Sequence, residues 1–312
     1  MPLFGSHLSI AGGMVNALDE AARLGLESVQ VFTKNQQQWK VRPLGDDEVR
    51  AWHTRATELG WCAGQPRMVA HASYLINLAS PDDELWRKSI DLMTVEIERC
   101  ETLGIGLLVH HPGAYTTSTR EAGLARLVAA YSELLRRTAG FATVSCLENT
   151  VGSGSHLGAT FEELAALREM IVASTGQPGR IGYCIDTCHA HAAGYDLSKA
   201  ASARSAISLL GELCGFEHVR VLHLNDSKGA CGSRRDLHEH IGKGTIGEAG
   251  FRAVLNERGL AGRPMIMETP KGQADDGTSF DSQNLDRLRG LLRRGTRPKA
   301  GGGRTTGRTR AS

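Results

Sequence analysis

Acids and imidazoles close nearly every strand-like run of this chain. LFGSH ends at His7, MVAH at His71 and LLVHH at His111, while TVSCLEN carries Glu148, IGYCID ends at Asp186, VRVLHLN holds His223 and PMIMET reaches Glu268. Burying such groups at the edge of an apolar run is costly unless something pairs with them. Their recurrence at seven runs implies that these ends face one shared place and that the place holds metal ions. Two polar loops add donors: His189 follows Asp186 by three in DTCHAH, and Asp236 and His238 stand two apart in RRDLHEH. Together, His71, His111, His189, His223 and His238 with Glu148, Asp186, Asp236 and Glu268 make five imidazoles and four carboxylates. One zinc takes about four ligands, so this set suits two or three ions. Imidazole suits zinc, and carboxylates bridge cations well. Two cations roughly 3.5–4 Å apart can grip the attacking and leaving oxygens of a phosphate ester. The pattern therefore points to metal-assisted hydrolysis of phosphate esters.

Other candidates read as bystanders. His7 is expected to support a ligand rather than bind an ion. His110 precedes His111, and strand alternation sends it to the opposite face, against helices. His191 and His240 sit near the ligands, with metal contact the minority reading for each. His53, His156 and His218 read as surface residues. Cys188 has no matched partner cysteine and reads as a small packing residue.

The elements that must position these groups alternate strictly. Strand runs at 3–7, 28–32, 68–71, 107–111, 143–149, 181–186, 219–225 and 264–269 each precede a helix-like run. Those helices are expected at Val15–Leu24, at Asp46–Leu59 with Asp46 as cap and Gly60 as stop, from Ser80-Pro81 to Leu103, and at Arg120–Ala139. The remaining ones are expected at Phe161–Ala173 capped by Thr160, at Ser198–Leu213, at Glu248–Arg258 after a long polar loop, and at Ser282–Leu292. Short apolar strands each followed by a helix imply a parallel sheet covered on both faces. Eight such units without a composition break predict one (β/α)8 TIM barrel over residues 1–292, with the metal site at its C-terminal mouth. An open doubly wound sheet is the alternative, and it would cluster polar groups at one switch point instead.

Bulk composition narrows the class. The chain has 312 residues, 41% hydrophobic and 22% charged, as an ordinary globular protein does. No apolar run approaches the roughly 18 residues of a membrane span. The seven cysteines are scattered without a CxxC pair, which favours reduced thiols and a cytoplasmic setting. The net charge of +2 hides an asymmetry, because every charged residue from Arg287 onward is basic. Residues 293–312 are rich in Gly, Thr and Arg and read as a disordered basic tail suited to nonspecific phosphate contact.

Longer motifs bring a family into view. FTKNQQQW, AHASYLINLAS, HPGA, LENT, DTCHAHAAGYD, HLNDSK, the Asp236–His238 pair with IGKGTIG, and METP resemble the endonuclease IV family of apurinic/apyrimidinic endonucleases. The resemblance runs from about Gly5 to Leu292. It implies a trinuclear zinc site: His71 and His111 on one ion, bridged by Glu148 to a second completed by Asp186, His223 and Glu268, with His189, Asp236 and His238 on the third. It implies catalytic roles for Glu148 as the bridge and for Glu268 in orienting the attacking hydroxide. The implied reaction is cleavage of the phosphodiester 5′ to an abasic site, leaving a 3′-hydroxyl and a 5′-deoxyribose phosphate, together with trimming of blocked 3′ ends. The implied partner is double-stranded DNA, bound by a monomer, with Gln37, Tyr74 and Leu75 probing the gap left by the missing base. Two departures stand out. Gln37 occupies a position where the family often has arginine, and His110 and His191 stand where it often has aromatics. A metal-dependent sugar isomerase or epimerase on a similar barrel is the competing reading, though it needs fewer imidazoles.

Overall fold

The computed structural model describes residues 1–292, so the basic tail expected over 293–312 lies outside the described residues. Its strands are β1 (Leu3–His7), β2 (Ser28–Phe32), β3 (Met68–His71), β4 (Leu107–His110), β5 (Val144–Glu148), β6 (Ile181–Asp186), β7 (Val219–His223), β8 (Asp226–Ser227), β9 (His238–Glu239) and β10 (Pro264–Met267). Eight of them, β1 to β7 and β10, pair in parallel and close into a barrel, with β10 completing the ring against β1 through Phe4–Met265 and Gly5–Ile266. The helices are α1 (Val15–Leu24), α2 (Asp46–Glu58), α3 (Asp83–Leu103), α4 (Arg120–Arg137), α5 (Phe161–Thr175), α6 (Thr187–Ala193), α7 (Ala200–Cys214), α8 (Gly247–Leu255) and α9 (Phe280–Leu291). Among the described residues no helix is long and apolar enough to cross a membrane.

Strand alternation decides which side chains meet. Val69, Leu107, Val109, Val144, Cys146, Cys184, Val221 and Ile266 form a small apolar cluster of their own. They plug the barrel interior, while the larger core lies between strands and helices. Counting two residues on from the plug reaches His71, His111, Glu148, Asp186, His223 and Glu268 in turn. The same parity that fills the barrel therefore lifts each of these candidate ligands to its mouth. Gly5 shares that inward parity, and a Cβ there would lie 2.7 Å from Ile266 Cδ1 and 2.4 Å from Ser28 Oγ, so closure of the ring requires glycine.

Several boundaries differ from the sequence expectation, and each has a local cause. DTCHAH is not a loop. Asp186 caps it by accepting the His189 N–H at 2.9 Å, and residues 187–193 wind into α6. The third helix starts at Asp83 rather than at Pro81, because Asp82 caps it by accepting the Leu85 N–H at 2.7 Å. Gly45, not Asp46, holds the cap position of α2, which leaves Asp46 in the first turn, where the helix dipole favours an acid. Ser198 is tied into a turn by Asp196, so α7 waits until Ala200. The helix expected to reach Arg258 stops at Leu255 and gives way to a short 3₁₀ turn at 258–260. The last helix starts at Phe280, two residues early, because Ser279 caps it. The long polar loop after β7 folds back as the antiparallel β8–β9 ladder, which pairs Ser227 with His238.

Candidate metal centre at the barrel mouth

Glu148, buried at the end of β5, is the hub. His71 donates its Nδ1–H to the Ala72 carbonyl at 2.8 Å, which leaves the Nε2 lone pair facing Glu148 Oε2 at 3.2 Å. His111 brings its own Nε2 to the same oxygen, also at 3.2 Å. On the other side His223 gives its Nε2–H to Gln30 Oε1 at 2.8 Å. Its Nδ1 then lies 2.9 Å from Glu148 Oε1, 3.1 Å from Glu268 Oε2 and 3.8 Å from Asp186 Oδ2. A neutral imidazole nitrogen and three carboxylates are all acceptors. They can crowd together only around protons or cations.

A third group stands beside these two. His189 donates its Nδ1–H to the Asn149 carbonyl at 2.9 Å, and His238 donates its own to the Glu268 carbonyl at 3.1 Å. Both Nε2 atoms then approach Asp236 Oδ1, at 3.2 and 3.1 Å. Neither contact has hydrogen-bond geometry, so both nitrogens are buried without a partner. Asp186 Oδ2 lies 3.7 Å from His238 Nε2 and thus borders the second and third groups. Clusters of donor atoms able to hold an ion include His71–His111–Glu148 and His189–Asp236–His238. Orphaned buried nitrogens facing carboxylates, with nitrogen and oxygen donors throughout, fit zinc-type divalent ions.

The titration behaviour has the same origin. Burial opposes charge on His189, but Asp186 and Asp236 overcome it and lift its pKa to about 10. Burial is likewise outweighed at His238, which Asp236 and Asp186 raise to about 9. At His223 burial is outweighed by Cys184, Glu268 and Glu148, which push the pKa well up. Burial favours the neutral acids, yet His223 and His111 hold Glu148 well below the carboxylate range, and His223 and His7 do the same for Glu268. A mouth that draws protons so strongly draws cations for the same reason.

Sequence reasoning missed the groups that hold these ligands in place. Gln30 bonds Glu268 Oε1 at 2.6 Å as well as His223. Asn225 donates to Asp186 Oδ2 at 2.6 Å and accepts the Glu268 N–H at 2.8 Å. Asn149 exchanges two hydrogen bonds with the Asp186 backbone. The available signal was parity for Gln30 within SVQVF and sequence adjacency for the two asparagines, in LENT and HLN. His7 behaves as expected, with Nδ1 2.9 Å from Glu268 Oε1. His110 points to the helix side, where it meets the Tyr131 hydroxyl at 2.6 Å. His240 packs on Phe280 and bonds Asn284. The buried Cys188 thiol is pushed up to about 12 by burial and points its S–H at the Leu237 carbonyl, as a packing residue can.

Two loops overhang the cluster. Tyr74 is 60% exposed, with its ring 5.3 Å from that of His71 and 5.6 Å from that of Phe32. Leu75 is half-buried against the core, and Gln37 is exposed. Beneath them α3 presents Glu96, also missed from sequence, which accepts Thr33 Oγ1 at 2.6 Å and the Ser73 N–H at 3.2 Å. Arg99 from the same helix donates to the Thr33 and Arg42 carbonyls. A direct bond from Ser73 Oγ to the Gln36 carbonyl joins the two loops. An open groove of about 540 Å³ leads from His7 past Phe32, Lys34 and Lys271.

The family profile described as a xylose isomerase-like TIM barrel matches residues 18–290. A protein of Chloroflexus aurantiacus named "Probable endonuclease 4" is 44% identical over 292 residues, covering 94% of this chain and 99% of its own length. One of the same name from Geobacter sulfurreducens is 42% identical, covering 94% of this chain and 95% of its own. The crystal structure of endonuclease IV from Thermus thermophilus superposes with a TM-score of 0.79 at 38% identity, covering 93% of this chain and 98% of that one. A D-psicose 3-epimerase from Clostridium cellulolyticum superposes with a TM-score of 0.65 at 15% identity, a likeness of fold alone.

Proposed function

The chain belongs to the endonuclease IV family, and from that premise we propose that it is a zinc-dependent DNA-repair nuclease. Its reaction is hydrolysis of the phosphodiester 5′ to an abasic site, giving a 3′-hydroxyl and a 5′-deoxyribose phosphate. The same site trims blocked 3′ ends. Three ions would be held by His71, His111 and Glu148, by Glu148, Asp186, His223 and Glu268, and by His189, Asp236 and His238. The observation that carries the reading is the convergence of imidazole lone pairs on shared carboxylate oxygens, above all His223 Nδ1 among Glu148, Glu268 and Asp186. The third trio weighs against a sugar isomerase, which has less use for it.

When bound, zinc supplies Lewis acidity and neutralises charge on the phosphate. The chain supplies the placement. Glu148 offers one oxygen to each side of the cluster, which sets the spacing of the two groups it serves. Glu268 is fixed at one oxygen by Gln30 and His7, and its other oxygen faces His223 Nδ1 within the cluster. An abasic nucleotide is cheap to turn out of the helix because little stacking holds it. Tyr74 and Leu75 would fill the gap it leaves, with Gln37 on the neighbouring loop that Ser73 ties through the Gln36 carbonyl.

The test is a duplex with one abasic site, incubated with and without a strong chelator. We expect incision on the 5′ side, a 3′-hydroxyl that a polymerase extends, loss of activity with chelator and recovery with zinc. Metal analysis should find at least three ions per chain, since the nine donors at the mouth suit about three. Incision that ignores the chelator, or a metal content near one, would sink this reading.

A further inference from the structure

The sequence pattern gives His191 no role, yet its surroundings are not those of a packing residue. It lies in the last turn of α6 and is 1% exposed. A ring nitrogen of His191, a carboxylate oxygen of Asp196 and the thiol of Cys231 fall within 4.8 Å of one another. Its Nδ1 meets the Leu197 N–H at 3.2 Å, but its Nε2 is buried and has no partner. Buried polar atoms in folded proteins are nearly always satisfied, so a buried ring with one orphaned nitrogen, bordered by a carboxylate and a thiol, calls for an occupant. Nothing in the nuclease chemistry uses these three side chains.

The donors themselves narrow the occupant. Imidazole nitrogen, carboxylate oxygen and thiolate sulfur together suit zinc and its close analogues, and calcium or magnesium would not select the sulfur. Asp196 is anionic at neutral pH, since hydrogen bonds from Ser198 hold its pKa at about 2. The Cys231 thiol is raised by burial and by Asp196, so it stays protonated until a cation displaces the proton to solvent. Three protein ligands leave one position for water, as expected where Cys231 reaches the surface.

The position of the trio also suggests a purpose. The loop bearing Cys231 is already laced to the end of α6: Gly232 donates to the His191 carbonyl at 3.0 Å and Arg234 to the Ala192 carbonyl at 2.9 Å. Arg234 takes a left-handed φ of 54° to do so. The same helix carries His189, and the same loop runs on to Asp236 and His238. We propose that His191, Asp196 and Cys231 form an additional zinc-type site that clasps this loop to α6, separate from the three ions at the mouth.

Cobalt(II) substitution of the full chain tests this without relying on activity. Mouth sites of nitrogen and oxygen donors give no thiolate-to-cobalt charge-transfer band, whereas this site should. We expect the band in wild type, its loss in Cys231→Ser, and at least about tenfold weaker metal binding at this site in His191→Phe, since losing a ligand should cost no less than losing a supporting residue. A complementary readout is thiol labelling mapped by peptide. Zinc should slow modification of Cys231 and leave the exposed Cys62 unaffected. No charge-transfer band, a band that survives Cys231→Ser (which would place the sulfur at Cys184 or Cys188), or equal labelling of Cys231 with and without zinc would each overturn the proposal. Circular dichroism on both variants separates a lost site from a lost fold.

Discussion

The candidate metal ligands borne by strands and those borne by the loop after β7 are built differently. His71, Glu148, Asp186 and His223 are buried at strand ends, each fixed by at least one further hydrogen bond or by the plug beneath it. Asp236 has a side chain 50% exposed, and His238 one 19% exposed, and both ride on the loop after β7. The strand set is therefore inseparable from the barrel. The loop set depends on whatever holds its loop: Asp226 accepting the Ile246 N–H at 2.9 Å, the β8–β9 ladder, and the backbone bonds to α6. Rigid elements hold a site more closely than loops do. The group that draws Asp236 and His238 from this loop should accordingly be the weaker and more exchangeable part of the centre.

Glu148→Gln should show the largest effect. It removes the charge shared by both sides of the hub while keeping size and fold. We expect abasic-site cleavage to fall by more than the roughly 10²–10³-fold that loss of one electrostatic stabiliser costs, with no rescue by excess zinc. Near-normal turnover would mean that Glu148 is not the bridge. Asp236→Asn should come next and behave differently. Metal analysis should find one ion fewer, activity should drop about 10–100-fold, and added zinc should restore much of it. Equal, unrescuable losses in both variants would erase the distinction between strand-borne and loop-borne ligands.

That distinction also explains what the sequence disclosed. The period of two along each strand is visible, and it alone ties apolar residues such as Val109 and Cys146 to the ligands two positions on, so barrel and strand ligands are legible together. The loop ligands are visible as residue types, but their setting is not. DTCHAH reads as a loop because Asp186 looks like a ligand, whereas its carboxylate also starts a helix. Gln30, Asn149 and Asn225 escape notice because a neutral amide in a polar stretch carries no signature until its partners are known. Glu96 is hidden for a similar reason. Its helix reads as amphipathic, and only the fold shows that its carboxylate reaches the two overhanging loops.

Glu96 sharpens the comparison from the loop side. Glu96→Gln weakens acceptance from Thr33 and Ser73 and leaves every metal ligand untouched. If the loops act by gripping damaged duplex, KM for an abasic duplex should rise about tenfold, in line with the loss of one charge-assisted hydrogen bond. Hydrolysis of a small aryl phosphodiester that cannot reach the loops should be unchanged. A parallel loss on both substrates would show that Glu96 supports the mouth, not the probe.

The smallest expected effect lies on the outward face of the same strands. His110 occupies the position beside a ligand but with opposite parity, so its role is packing. Its Nδ1–H goes to the His111 carbonyl at 2.8 Å and its Nε2 takes the Tyr131 hydroxyl proton, while Tyr131 also meets Ser145 Oγ at 2.7 Å. Burial, the dominant cause, lowers its pKa to about 4. A depressed folded-state value means that the neutral ring stabilises the fold above the unfolded pKa near 6.5, and that this stability is lost as pH falls toward 4, because the unfolded chain takes up the proton first. His110→Phe removes that dependence. At neutral pH the variant should be less stable by about 1–2 kcal/mol, since the His111 carbonyl loses its donor. Between about pH 7 and 5, however, wild type should lose about 2 kcal/mol more than the variant in urea unfolding. Protonation of the metal ligands acts on both proteins alike, so the difference in slope belongs to His110. Parallel pH profiles would mean that the outward imidazole is hydrated and that the two faces of β4 are less distinct than their parity implies.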